Sequence, residues 1–241
     1  MKRLLITCKA HPGEPEWFAV WQLSRDRFAH YAAVHGYEFR EVWYDDFAND
    51  PRWREAFHGR LPVWPFNPSM TSPCWLKIPA INVALEQGYD EVLYIDNDCV
   101  VLDHSKDIAT EVPEGKLLAM HNSVTPEGTG PNIGVVYTRN APITRRFWRK
   151  AWEIDAWKIA KWSDNGQVMD LLGYSVAPPL RKLWNTDYTP IYHVLGNEWC
   201  GFGSGMEPGA VPSNCRIFHA AWGRDGAWKL SVMKNAILQK E

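Results

Sequence analysis

Glu91-Val92-Leu93-Tyr94-Ile95-Asp96-Asn97-Asp98-Cys99-Val100-Val101-Leu102-Asp103 is the stretch that decides how this chain is read. Its unbroken apolar run, Val92 to Ile95, is that of a strand buried on both faces, as in the middle of a parallel sheet. The run stops at two carboxylates one residue apart, Asp96 and Asp98. Open α/β sheets bind ligands outside the carboxyl ends of their strands, so this pair is placed for chemistry. Two acids so close repel each other unless a cation stands between them. A divalent ion meets that need through oxygen ligands and leaves positions open for a diphosphate. The same tripeptide also fits a plain strand-end turn, in which Asp and Asn bond to neighbouring backbone. Taken alone it does not choose between the two.

The rest of the composition narrows the class. A length of 241 residues suffices for a sizeable core and is most simply one α/β domain. Lys plus Arg number 26 against 28 for Asp plus Glu, a net charge of −2, which leaves no global basic field for nucleic acid or an anionic membrane. Five scattered cysteines, Cys8, Cys74, Cys99, Cys200 and Cys215, form no CxxC pair and read as free thiols in a reducing compartment. The amino-terminal apolar run, Leu4 to Ile6, is too short for a signal peptide or a membrane span, and no later segment is long enough to span a bilayer. A cytoplasmic setting is the expectation. The chain holds 14 tryptophans, and most are expected in the core, with a few left to stack on a sugar ring or a base.

Periodicity sets out alternating strands and helices. Leu4 to Cys8 reads as strand one, and residues 15 to 35 as a helix closed by Gly36, with Trp17, Trp21, Ser24, Phe28 and Tyr31 at helical spacing. Tyr37 to Tyr44 reads as strand two, with Asp45 and Asp46 at its end. Asp50 to Cys74 is proline-rich and irregular, and is expected to form one wall of a cleft. A helix follows to Gly88, with Pro79 in its first turn. Beyond the central strand, Leu117 to Met120 reads as a short strand, Asn122 to Pro131 as a loop, and Asn132 to Thr138 as a buried strand. Asn140 is the expected N-cap of a helix through Trp157, and Ser163 caps another from Asp164 to Leu172. Arg216 to His219 reads as a last strand ending in histidine, and Trp228 to Gln239 as a terminal helix.

These residues, taken in order, resemble the GT-A glycosyltransferases, and among them the retaining galactosyl/xylosyltransferase and glycogenin-like families. Tyr31-Ala32 with His35-Gly36-Tyr37, Trp75 with Lys77-Ile78-Pro79-Ala80, and Leu93 to Asp98 as a DxD motif are similar to family segments. So are Asn132-Ile133-Gly134, Asp164-Asn165-Gly166-Gln167, Trp184-Asn185 and His219. The resemblance implies a Rossmann-like GT-A domain over residues 1–241, with a mostly parallel central sheet flanked by helices. A nucleotide-sugar half would cover about 1–105 and an acceptor and catalytic half about 106–241.

The resemblance further implies metal-dependent transfer, with retention, from a nucleotide-diphosphate sugar, UDP-linked first of all. The sugar moved is a hexose or a pentose. It also implies Asp96, Asp98 and His219 as the metal ligands. One imidazole among oxygens favours Mn2+ over Mg2+; alone, His219 reads more simply as a core or cap histidine. Thr7 and Cys8 are expected at the base. Lys77, Asn97, Gly223, Arg224 and Lys229 are expected at the phosphates or ribose, and Asn132 and Gly134 at the sugar. Each lysine and arginine also fits a solvated surface charge. Asp164 and Gln167 are the candidates beside the anomeric carbon, where an anionic or amide oxygen stabilises an oxocarbenium-like transition state. Use of Asp164 as a covalent nucleophile is left open, and so is a plain role at a helix amino terminus.

Two other classes stay in view. A strand followed by Asp96-Asn97-Asp98 also opens HAD-like phosphohydrolases, although no adjacent acidic pair follows downstream. A binding module that holds a nucleotide sugar or glycan without turnover is the other. The acceptor reads as a cell-envelope glycan, a lipid-linked precursor or a small molecule. A modified base in viral DNA is the nucleic-acid option, and Arg145, Arg146, Arg149 and Lys150 are the patch it would use.

Overall fold

Alternate residues of the central strands pack into two different cores, which is why their apolar runs are unbroken. In the computed structural model, which describes residues 1–9, 15–42, 76–154, 163–202, 211–220 and 225–240, β1 (Arg3–Cys8) and β3 (Glu91–Ile95) lie side by side and parallel. Leu4, Ile6, Val92 and Tyr94 enter one core, and Leu5, Leu93 and Ile95 the other. Burying both faces of a strand is the arrangement that demands such a sequence.

The larger sheet has six strands in the order β2-β1-β3-β6-β5-β7. The others are β2 (Glu38–Val42), β5 (Leu118–Thr125), β6 (Gly128–Arg139) and β7 (Tyr192–Leu195). Three of its pairings are parallel, and β6 runs antiparallel to both of its neighbours. A smaller sheet, in the order β4-β9-β8, is made by β4 (Cys99–Val101), β8 (Gly201–Phe202) and β9 (Ile217–His219).

Helices α2 (Lys77–Glu86), α3 (Pro142–Glu153) and α4 (Ser163–Leu171) cover one face of the large sheet. Helix α1 (Pro15–His35) and the small sheet cover the other, through Phe28, Tyr31, Val101 and Ile217. Helix α5 (Gly226–Leu238) closes the far side of the small sheet, where Val232 and Met233 meet Val20, Val100 and Phe218. Among the described residues no helix is long and apolar enough to cross a membrane.

Three local expectations change. Asn122 to Pro131 is not a loop: β5 and β6 continue as a hairpin as far as the Thr125 and Gly128 pair, with a register shift between Met120 and His121. Its turn-forming composition serves the hairpin end, where Gly128 has φ +126° and a Cβ would lie 2.1 Å from the Leu180 carbonyl oxygen. Helix α3 is capped by Ala141, with Thr144 bonding back to the Ala141 N–H, and not by Asn140. The Asn140 amide donates to the carbonyls of Leu85 and Tyr89, closing the end of α2. Helix α3 ends at Glu153, with Ile154 already extended, short of the expected Trp157; Asp45, Asp46 and the proline-rich segment from Asp50 lie outside the described residues.

The amino-terminal ends of the strands are tied by charge. Arg3 Nε bonds Glu91 at 2.7 Å, and the guanidinium reaches Asp107 at 2.6 Å and the Tyr37 hydroxyl. Removing one member of such a buried set leaves the others uncompensated. Arg3→Met is therefore expected to lower unfolding free energy by about 3 kcal/mol, read from urea denaturation, with ligand binding at the opposite end of the strands unchanged.

Candidate active site

The site is built where β3 stops. The Asp96 N–H donates to the Gly134 carbonyl of β6 at 2.8 Å, and the Cys99 N–H closes a tight turn back to the Asp96 carbonyl at 3.0 Å. The chain then enters β4, which pairs with β9 so that Cys99 faces His219. The Ala220 N–H donates to the Asp98 carbonyl at 2.9 Å, which clamps the turn to the end of β9. This pairing sets His219 Nε2 3.2 Å from Asp98 Oδ1. A Cβ on Gly134 would lie 2.3 Å from His219 Cε1 and 2.6 Å from Nδ1, so the ring occupies space that only glycine leaves. Cys200 Sγ stands 3.5 Å from His219 Nδ1.

Basic groups converge on the carboxylates. Lys229 of α5 bonds Asp98 Oδ2 and lies 5.1 Å from the centre of the Trp17 ring. Burial acts to raise the Asp98 carboxyl, but the Lys229 ammonium and His219 outweigh it and hold the group below the ordinary carboxylate range. The same burial opposes charge on His219, yet the Asp98 carboxylate pushes its imidazole up to about 10. Lys77, at the start of α2, is 3% exposed at its side chain and bridges Asp96 at 2.8 Å and Asp164 at 3.0 Å. The Tyr94 hydroxyl donates to Asp96 at 3.0 Å. Burial lifts the Asp96 carboxyl above its usual range, with the Lys77 ammonium opposing.

Asp164 and Gln167 stand on α4, which Asn165 ties to β6 by accepting the Ile133 N–H at 2.9 Å. Gln167 is fully buried. Its Nε2 donates to the Ile154 carbonyl at 3.1 Å, while its Oε1 has no hydrogen-bond partner among the described residues.

No family model matches the chain, and none of the curated proteins matches it at a significant level. Solved structures do. A glycosyltransferase involved in the glycosylation of the major capsid of PBCV-1 superposes with TM-score 0.60 at 15% identity, over 97% of this chain and 99% of that one. Mouse xyloside xylosyltransferase 1 does so with TM-score 0.51 at 11% identity, over 92% and 97%. The glycosyltransferase GlyE of Streptococcus pneumoniae gives 0.52 at 13%, over 98% of this chain and 61% of its own. The chain has the GT-A fold.

On this GT-A frame, Asp98, His219 and Lys229 form one cluster, and Lys77, Asp96 and Asp164 another beside it. Thr7 and Cys8 are buried at the end of β1; the Thr7 hydroxyl has no hydrogen-bond partner among the described residues, and burial pushes the Cys8 thiol up to about 12. The Asn97 carbonyl accepts the Ser24 hydroxyl at 3.1 Å, which fixes the backbone between the two aspartates to α1. Asn132 Oδ1 accepts the Gly134 N–H at 2.8 Å. Gly223, Arg224 and Trp75 lie outside the described residues. Tyr94, Asn165 and Cys200 belong to the arrangement without having been read as site residues. Tyr94 is masked by its place in an apolar strand and Cys200 has no local signal, whereas Asn165 sits inside a motif already noted.

The donor set fits a hard or borderline divalent ion. Asp98 Oδ1 and His219 Nε2 are 3.2 Å apart, close to the roughly 3 Å between neighbouring corners of an octahedron with bonds of about 2.1 Å. Cys99 offers a donor within 4.8 Å of both. Its thiol is driven well above its ordinary range by burial, so it stays protonated and is a poor ligand. Asp96 is held by Lys77 and Tyr94 beside the pair. Gly134→Ala is expected to push the His219 ring aside, costing about 1–3 kcal/mol of stability and weakening Mn2+ binding about tenfold. Thermal melts and Mn2+ titration by electron paramagnetic resonance check both.

Proposed function

We propose that this chain is a metal-dependent glycosyltransferase, a single catalytic domain over residues 1–241. It moves a hexose or pentose from a nucleoside diphosphate sugar, UDP-linked first of all, to an acceptor with retention at the anomeric carbon. The observation that carries this reading is the meeting of Asp98, His219 and Lys229 at the carboxyl end of the sheet in a GT-A fold.

Asp96, Asp98 and His219 would hold Mn2+, or Mg2+ with less preference because of the imidazole. A bound ion there supplies positive charge against the diphosphate as the sugar-phosphate bond breaks. A ligand imidazole must be neutral, so His219 gives up its proton when it takes that role. Lys229 exchanges its bond to Asp98 for the diphosphate, with Gly223 and Arg224 as further donor-binding residues. Lys77 keeps Asp96 and Asp164 apart in charge and fixed in place. Asp164 is the anionic group for the oxocarbenium-like centre, with Gln167 behind it on α4. Asn132 and Gly134 line the sugar side, and the backbone at Thr7, Cys8 and Asn97 the nucleotide side.

The cysteines among the described residues, Cys8, Cys99, Cys200 and Cys215, are buried free thiols, which suits the reducing cytoplasm as its setting. The acceptor is a cell-envelope glycan, its lipid-linked precursor or a small molecule, with a nucleic-acid base ranked behind them. The phosphohydrolase reading is not favoured in a GT-A fold.

Incubation of the full chain with a panel of nucleotide sugars and Mn2+ tests the proposal, with release of the nucleoside diphosphate as the readout. Turnover of at least one donor is expected, and Lys229→Ala should lower kcat by about 100-fold while circular dichroism is unchanged. Phosphate release from simple phosphomonoesters, with every nucleotide sugar left intact, is the result that removes it.

A further inference from the structure

We infer that Asn132 and Cys200 act as positioning residues that select the tautomer of His219, keeping the Nε2 lone pair free for the ion; this rests on the metal-site reading above. The chain of bonds begins at the backbone. The Gly134 N–H donates to Asn132 Oδ1 at 2.8 Å, so that end of the amide is its oxygen, which accepts only. Cys200 Sγ lies 3.9 Å from this oxygen and 3.5 Å from His219 Nδ1. With a pure acceptor on one side, the thiol hydrogen goes to Asn132, and the sulphur turns its lone pairs to the imidazole.

Nδ1 must then carry the hydrogen that bonds to sulphur. A neutral imidazole has one N–H, so its lone pair sits on Nε2, the nitrogen 3.2 Å from Asp98 Oδ1. The ring packs directly over Gly134, where an added Cβ would lie 2.3 Å from Cε1 and 2.6 Å from Nδ1. Cys200 is itself fixed: it is fully buried, and its N–H closes the turn at Asn197–Trp199 by donating to the Asn197 carbonyl at 3.4 Å. Ligating histidines ordinarily have their far nitrogen held by a carboxylate, carbonyl or water. Here a thiol does it, and being a weak acceptor it orients the ring more than it raises its basicity.

Mn2+ titration by electron paramagnetic resonance into the full chain tests this with Cys200→Ala, Cys200→Ser and Cys215→Ala. Cys215 is equally buried and bonds the Ile217 carbonyl instead, so it controls for packing. Cys200→Ala is expected to weaken Mn2+ binding about tenfold or more, whereas Cys200→Ser, which keeps one donor and one acceptor at this position, stays within about threefold. Cys215→Ala should bind as wild type. Unchanged binding in Cys200→Ala, or an equal loss in all three folded variants, overturns the inference. Wild type that takes up no Mn2+ counts against the metal-site reading instead. The histidine 15N spectrum of metal-free Asp98→Ala at about pH 8, where the imidazole is neutral, still decides the tautomer. A proton on Nδ1 supports the inference and one on Nε2 overturns it.

Discussion

The pairing of β4 with β9 is the constraint on which the site depends. It carries His219, from near the end of the chain, to the turn that follows the central strand, and the Asp98 carbonyl bonded to the Ala220 N–H locks the two together. Everything around the pair is shaped to permit it. Gly134 leaves the volume that the imidazole fills, Ser24 of α1 holds the Asn97 and Cys99 carbonyls from behind, and α5 brings Lys229 in over the aspartate.

The second organising fact is charge balance in a buried place. Asp96, Asp98 and Asp164 stand against Lys77, Lys229 and His219, and the alternation of signs offsets the cost of removing each group from water. Two basic groups on Asp98 keep it ionised, which is the state a cation ligand needs. On the proposed function a divalent ion and a diphosphate enter with nearly cancelling charge, so the balance survives donor binding while the lysine changes partners. Asp96, lifted by burial and steadied by Lys77 and Tyr94, stands in the neighbouring cluster, one residue from Asp98 along the turn.

Much of the fold is legible in the sequence, because the two-faced burial of β1, β3 and β6 writes itself as apolar runs and the helices keep their spacing. What escapes notice is long-range or hidden by local chemistry. The hairpin of β5 and β6 reads as a loop because its turn residues dominate the composition, and Asn140 reads as a cap although it serves the end of α2. In the site, Asp96, Asp98 and His219 are visible as strand-end residues, but no pattern joins Lys77 to Asp164 or Lys229 to Asp98. Those bonds depend on how helices pack over the sheet, which sequence spacing does not encode. Cys200 is the extreme case, a buried thiol whose meaning comes only from the ring beside it.

The central claim is that Asp98 and His219 hold an ion for a nucleoside diphosphate, and calorimetric titration of UDP, with GDP, CDP and ADP alongside, tests it most directly. With Mn2+ present, one of these should bind at least about tenfold more tightly than in a chelator, and Asp98→Ala should erase the difference. Equal affinity of every nucleotide with and without the ion, in wild type, would contradict the account.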